Sequence, residues 1–380
     1  MTDTPSPPVA PDAALLTLVM IVKNEARGIE ATLLSAKPFV DRWVILDTGS
    51  TDGTQELVRK TMEGVPSELH EEPFVDFGAT RSRALDLAGE ATTFTLMLSG
   101  DETLENGAAL RAFCEKHAAT DGVRHGAYHV RVAMGDTEFD HARLARAKSG
   151  WRYVGATHEF LGKEKTPPPT IRVPDARIVH DTSHRTKEGM RARWELDKRL
   201  LREQLKKHPN DARAQFYFAQ TLECLGDLKQ AAQAYERRIK MGGWQEEVYE
   251  SWFRLARTME AGQRPWAGVL ETYLDAHAHS PTRAEPLFKI AWHYYQKKSW
   301  ALCYLFARRG AELPFPEKAT LFVDREVYTW KLLDLVGTSA YYVGAFEEGE
   351  AALRKALVAM PGDARLTKNL AFYEERKNKE

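Results

Sequence analysis

Three apolar–alanine pairs, Phe218-Ala219, Leu255-Ala256 and Ile290-Ala291, recur at spacings of 37 and 35 residues in this chain of 380. A period of that length holds two amphipathic helices and their turns. One such pair cannot bury its apolar faces alone, so successive pairs must stack into a solenoid with a concave surface. From about residue 186 onward, Leu, Ala, Lys, Arg and aromatic residues fall at helical spacing, with almost no strand-like alternation. A last copy runs over residues 340–361, with Gly344, Ala351 and Ala356, and residues 315–330 break the period as an insertion. The C-terminal half is expected to be all α.

The first half reads differently. Apolar, β-rich runs at residues 15–22, 42–47 and 93–98 are strand candidates. Between the first two, residues 25–37 place Ile29, Leu33 and Leu34 at helical spacing with Pro38 as a stop, which makes a βαβ unit. Residues 105–117 read as a further helix. Residues 127–134 read as a strand leading into an antiparallel hairpin, so the sheet is expected to be mixed and mostly parallel. Prolines at 167–169 and Pro174 mark extended chain before a last short strand at 177–180. The expected division is a disordered leader at 1–14, an α/β domain at 15–185 and a helical-repeat domain at 186–380.

Composition excludes several classes of function. Lys and Arg number 53 against 54 Asp and Glu, a formal charge of −1, so no global positive field draws the chain to nucleic acid or an anionic bilayer. The longest strongly apolar run, 15–22, falls far short of the roughly 20 residues a membrane-spanning helix needs. Cys114, Cys224 and Cys303 are odd in number and lack CxxC spacing, which argues against a disulfide framework or a structural zinc site. The N-terminus lacks the basic stretch and cleavage site of a secretory signal. A cytoplasmic location is the simplest expectation.

Candidate chemistry clusters where strands end. The first strand runs into Lys23-Asn24-Glu25 and the second into Asp47-Thr48-Gly49-Ser50-Thr51-Asp52-Gly53-Thr54. In open α/β sheets ligands bind beyond the carboxyl ends of parallel strands, and Asp47 there would accept hydrogen bonds from a base or a ribose. The same residues also suit a plain turn and helix cap, with Asp52 and Gly53 shaping the loop. The third strand ends in Ser99-Gly100-Asp101-Glu102. Carboxylates after a buried strand suit Mg²⁺ or Mn²⁺, which draw remaining ligands from phosphates and water. They also suit the start of a helix.

In this order, Val19 to Glu25, Asp47 to Thr54, Ala79-Thr80-Arg81-Ser82-Arg83-Ala84-Leu85 and Leu98 to Glu102 resemble the opening strand, nucleotide-binding segment, Ala-Arg-Asn helix and D-x-D strand end of family-2-type glycosyltransferases. The resemblance covers about residues 15–185. It implies a GT-A fold, a nucleotide-diphosphate sugar as donor, commonly a UDP-sugar, and a divalent metal. By the same resemblance Lys23, Asn24, Glu25, Asp47, Ser50, Asp52, Arg81, Ser99 and Gly100 bind the donor, and Asp101 with His180 holds the metal. Two positions depart from the pattern: Ser99 stands where the first D-x-D carboxylate belongs, and Ser82 where an Asn follows the helix Arg.

Trp151 to Glu159 resembles the segment before the acceptor side of that site, with Glu159 as candidate base and Asp140 as its rival. Trp151 and His158 fall on the acceptor side, and Arg143, Arg146 and Arg81 are candidates for diphosphate contacts because guanidinium offers a bidentate fork. Residues 214–235, with Tyr217, Phe218, Leu222, Gly226, Ala231 and Tyr235, resemble a tetratricopeptide repeat. Trp244, Trp252, Trp292 and Trp300 read as repeat core before peptide anchors. The basic stretch 184–207 interleaves with Glu188, Glu195, Asp197 and Glu203 and reads as a solvated linker helix. The expectation is an inverting, metal-dependent glycosyltransferase whose repeats recruit a peptide, protein or glycan acceptor. The alternative is a degenerate transferase acting as a repeat-based scaffold or nucleotide-binding protein.

Overall fold

The computed structural model describes residues 14–89, 91–119, 126–135, 137–164, 171–181, 183, 186–319 and 321–378. The leader expected at 1–14 and the prolines at 167–169 lie outside them, apart from Ala14, which begins the first strand. The chain forms two compact units that divide between Gln204 and Leu205.

In chain order the N-terminal unit contains β1 (Ala14–Val22), α1 (Ile29–Ala36), β2 (Arg42–Asp47), α2 (Thr54–Thr61), β3 (Ser67–Glu71), α3 (Phe77–Ala88), β4 (Thr92–Leu98), β5 (Glu102–Glu105), α4 (Gly107–Ala118), β6 (Ala127–Met134), β7 (Thr137–Arg146), β8 (Arg152–Val154), β9 (Phe160–Gly162), β10 (Arg172–His180) and α5 (Lys187–Lys207). Eight strands form one sheet in the order β3-β2-β1-β4-β7-β6-β10-β5, and β8 and β9 form a separate hairpin. β3, β2, β1 and β4 run parallel, whereas β7 is antiparallel to both β4 and β6.

β1 is a near-continuous apolar run because both its faces are covered. Leu16, Leu18 and Met20 join Ile29 and Leu33 of α1 and Leu110 and Phe113 of α4 in one core. Val19 faces the other way, with Met97, Ala84 and Ala88 of α3, Trp151 and Tyr153. Three elements differ from expectation. β3 escapes periodicity because its run Ser-Glu-Leu-His-Glu carries a single apolar residue. Residues 102–105 are strand rather than helix approach, since β5 pairs antiparallel with β10 and α4 starts only at Gly107. β10 starts at Arg172, five residues before the expected strand, with a register irregularity between Arg172 and Arg177 that accommodates Pro174.

Most of α5, expected to open the repeat domain, belongs to the N-terminal unit. Its Asp197 accepts a 2.7 Å hydrogen bond from the Thr157 hydroxyl, and its Gln204 accepts one of 2.7 Å from the Ala156 N–H.

The C-terminal unit contains α6 (Ala212–Leu225), α7 (Leu228–Met241), α8 (Gln245–Ala261), α9 (Trp266–His279), α10 (Glu285–Gln296), α11 (Trp300–Ala311), α12 (Leu332–Val343), α13 (Phe346–Ala359) and α14 (Ala364–Lys377). These are four helix pairs and a closing helix. The fourth pair begins at Leu332, earlier than its sequence signal, after a π-helical turn at Val327–Lys331. Gly226 and Gly344 end α6 and α12 with left-handed backbone, φ +81° and +80°. Gln263 and Lys298 adopt φ +53° and +54° after α8 and α10, so in the two middle pairs a polar residue takes the left-handed position. Asp211, Asp227 and Asp363 cap α6, α7 and α14 through their side chains. No helix among the described residues is long and apolar enough to cross a membrane.

Candidate functional site

The parallel strands of the N-terminal unit bring the loops after β1, β2 and β4 together. The first two loops are stitched to each other. Asn24 takes left-handed backbone, φ +56°, which turns its N–H onto the Ser50 hydroxyl at 2.9 Å and its side-chain oxygen onto the Thr51 N–H at 2.8 Å. The Glu25 N–H donates to the Thr54 hydroxyl, and the Ala26 N–H to Asp52. One Asp47 oxygen accepts the N–H groups of Gly49 and Ser50, both at 2.7 Å, while the other is buried and has no hydrogen-bond partner among the described residues. Asp52 also accepts from Thr54, backbone and hydroxyl. Asp47, Ser50 and Asp52 therefore shape the turn into α2. Lys23 lies exposed beside them.

The loop after β4 lies against Glu25. A Cβ at Gly100 would come within 2.7 to 2.9 Å of the Glu25 side chain, so only glycine allows this approach. The Gly100 carbonyl accepts a buried 2.9 Å bond from the Thr32 hydroxyl of α1. Burial, then the charges of Asp101 and Asp52, push the Glu25 carboxyl up to about 7.

Behind this loop sits a network of mutually neutralising charges. Arg81 of α3 donates to Glu159 at 2.7 Å and to the Ser99 hydroxyl at 3.1 Å. Arg143 of β7 donates to Glu102 at 2.5 Å, and the Ser99 N–H donates to the same carboxylate. His180 at the end of β10 lies 3.0 Å from Asp101 and 3.6 Å from Glu102. Its hydrogen bonds to Asp101 and Glu102 outweigh burial and raise the imidazole to about 9. Burial works to raise the Glu102 carboxyl, but Arg143, His180, the Ser99 N–H and Arg81 together hold it far below the usual range. Arg81, Arg143 and His180 thus balance Glu159, Glu102 and Asp101.

Asp140, Arg146, Trp151 and His158 contribute no hydrogen bond given above to this corner. Asp140 is an exposed partner of Arg131 across the β6–β7 hairpin, at 2.8 Å. Arg146 donates to the carbonyls of His117 and Ala118. Trp151 is core, and His158 is an exposed turn residue with φ +51°. Glu159, expected as a base, is one half of an ion pair with Arg81 in which both side chains are largely buried. Among the described residues, no group of three or more His, Cys, Asp or Glu is arranged to hold a metal ion.

The repeat unit presents a second candidate surface, built on the first helices of successive pairs. Phe288, Trp292 and Tyr295 stack along α10, with ring centroids 6.4 and 5.2 Å apart, and Trp300 stacks on Tyr342 at 4.3 Å. Trp292 and Tyr342 remain 37% and 58% exposed, so part of this aromatic set is surface rather than the core expected of the repeat tryptophans. The segment between α11 and α12 returns to the same helices: the Leu321 N–H donates to Glu246 at 2.7 Å, and Arg283 donates to the Leu321 and Phe322 carbonyls at 3.2 Å each. Arg257 and Lys289, on α8 and α10, escaped the sequence reading because a lone cation at helical spacing is indistinguishable from solvated surface.

No family model matches the chain. Over an aligned stretch of 255 residues it is 29% identical to a TPR repeat-containing protein of Synechococcus elongatus, with 64% of this chain and 61% of that protein covered. The chain therefore spans less than two thirds of that relative's length. Among solved structures it is similar to YrrB, described as a TPR protein with an unusual peptide-binding site, at 13% identity and a TM-score of 0.36 over 47% of this chain and 84% of that one. It is also similar to MamA, at 14% identity and a TM-score of 0.35 over 47% and 89%. BtubC from P. vanneervenii gives 18% identity and a TM-score of 0.36 over 46% and 76%.

The expected glycosyltransferase function is corrected here. The curated relative is named for its repeats, not for sugar transfer. The geometry supplies a physical reason to agree: the expected base is engaged by Arg81, and the arginines expected to meet a diphosphate are held by Glu159, Glu102 and backbone carbonyls.

Proposed function

We propose that the chain is a repeat-based scaffold that binds a protein or peptide partner on the first-helix side of its C-terminal unit. The observation that carries this reading is the partly exposed aromatic row of α10 beside a chain segment held by repeat side chains through its backbone. Stacked helix pairs supply such surfaces because each pair adds one ridge to a continuous platform. The repeat-named relative agrees with the reading. A photo-crosslinking residue at Trp292, introduced into the full chain in its host cells, tests it. A discrete adduct from position 292, reproduced with the purified partner and absent from position 358 on α13, is expected. Equal trapping at both positions, or none, refutes the reading.

On this reading the α/β unit is a degenerate relative of the transferase fold, retained for ligand binding without group transfer. A divalent cation is the ligand its chemistry favours, because Glu25 and Asp101 repel each other across the Gly100 turn. These two carboxylates would hold it, with water completing the shell. His180 would join only after losing its proton. An upward shift of the unit's melting temperature with Mn²⁺, lost in Asp101→Asn, is expected; no shift at millimolar Mn²⁺ removes the proposal.

A further inference from the structure

On the first-helix side of the repeat unit, positive charge gathers from three successive elements. Arg257 of α8 and Lys331, just before α12, lie within electrostatic reach of Lys289 of α10. The acidic groups facing Lys289 are Glu260 and Asp324. Lys331 is neutralised, with Asp324 at 2.9 Å and Glu326 at 2.8 Å. Among the described residues Arg257 has one ion-pair partner, Glu223, at 4.0 Å, at the limit of an ion pair. Lys289 is half-buried and makes no hydrogen bond or ion pair with any described residue. Burial, then the charges of Arg257 and Lys331, push its ammonium below the usual lysine range. A cation in that position gains from any anion that reaches it.

Two features beside Lys289 say what kind of anion fits. Trp292 is three residues further along α10, so its exposed ring shares an edge of the helix with Lys289. The chain itself also supplies a bound example. Its segment at residues 321–324 lies against the first turns of α8 and α10 with backbone held by Glu246 and Arg283, with the Phe322 ring under Arg254 and with the Asp324 carboxylate on Lys331. That is an apolar run, Leu321-Phe322-Val323, followed by an acid, and it is read by cationic side chains of the kind that continue at Lys289 and Arg257.

We infer that this face takes an extended acidic peptide, with one carboxylate between Lys289 and Arg257 and a neighbouring apolar side chain on the Trp292 ring. The inference rests on the proposed reading of the repeats as a partner-binding surface, and it names the partner's chemistry. The anion is a side-chain carboxylate, matching the one that Lys331 already holds.

Phage-displayed random peptides panned on the full chain, followed by titration of the selected peptides, provide the test. Enrichment of Asp or Glu beside a large apolar residue is expected. Lys289→Met and the peptide's acid-to-amide change should each weaken binding roughly tenfold or more, as for loss of one charge-assisted hydrogen bond, and the two together should cost no more than either alone. Lys289→Arg should restore binding. Arg257→Gln provides a second variant should Lys289→Met lose native circular dichroism. Selected peptides that bind equally well to Lys289→Met and Arg257→Gln would overturn the inference while leaving the repeats as a peptide-binding surface. A phosphoserine peptide that binds where its glutamate counterpart does not would overturn the carboxylate assignment. No enrichment at all would remove both the inference and the reading beneath it.

Discussion

Glu159→Gln separates a structural carboxylate from a working base. In the folded chain Glu159 lies 2.7 Å from Arg81, with side chains only 13% and 10% exposed. Removing the negative charge leaves a buried guanidinium whose remaining hydrogen bond goes to the Ser99 hydroxyl at 3.1 Å, with one of its nitrogens already without a partner among the described residues. Breaking one side of a buried pair costs about 3–5 kcal/mol. Glutamine keeps an acceptor and water reaches the edge of the pair, so the lower end, about 3 kcal/mol, applies. For a unit of this size each kcal/mol moves the midpoint by about 2–4 °C, which predicts a fall of roughly 6–12 °C. Calorimetry of the full chain reads this against the repeat unit's own transition, which should not move. Replacing both partners by apolar residues, Arg81→Met with Glu159→Leu, should recover most of the loss. A midpoint within about 1 °C of the wild-type value would refute the pairing as a source of stability.

Three further outcomes follow from the packing and the charges. Burial raises the Glu250 carboxyl to about 7 against the pull of Arg254, so the folded repeat unit binds the proton more tightly than the unfolded chain does. Its contribution to stability is therefore present below the unfolded value near 4.5 and is lost as pH rises toward 7, at up to roughly 1.4 kcal/mol per pH unit; urea unfolding at pH 5 and 8 should show this slope reduced in Glu250→Gln. Gly78→Ala would set a methyl 2.3 Å from the Gly155 carbonyl oxygen, and should cost about 1–3 kcal/mol despite alanine's better helix propensity, measured by unfolding of the N-terminal unit. Asp363→Ala removes the acceptor for the Arg365 and Leu366 N–H groups, and should lower stability by about 1 kcal/mol while amide exchange speeds up in the first turn of α14.

Much of the architecture is legible in local pattern. The 37- and 35-residue spacing places α6, α8 and α10, and the apolar runs place β1, β2 and β4. The turn expected at residues 47–54 forms, because Asp47 and Asp52 find their donors within a few residues, whereas the N-cap of α2 is Gly53, which offers no side-chain cap. β3 and β5 are not legible, since their few apolar residues acquire strand geometry only by pairing with β2 and β10. Pro38 marks the end of α1 only approximately, because the chain continues through a 3₁₀ turn at Lys37–Phe39.

The candidate site divides along the same line. Periodicity and turn chemistry act between neighbours in sequence, so the chain by itself determines which segments become helices and strands, and that the strand-end loops of β1, β2 and β4 share one edge of the sheet. Charge partners are chosen by proximity in space. Arg81 meets Glu159 across 78 residues, and Arg143 meets Glu102 across 41, so residues that resemble a catalytic set become a buried, balanced network. Lys289 illustrates the converse: its helical spacing suggests an ordinary solvated cation, and only the stacking of α8, α10 and the turn before α12 leaves it half-buried beside Arg257 and Lys331 without an ion-pair partner among the described residues. Local interactions decide secondary structure because they need no chain closure, whereas the electrostatics of a site depend on which distant groups the packed core brings within a few ångströms.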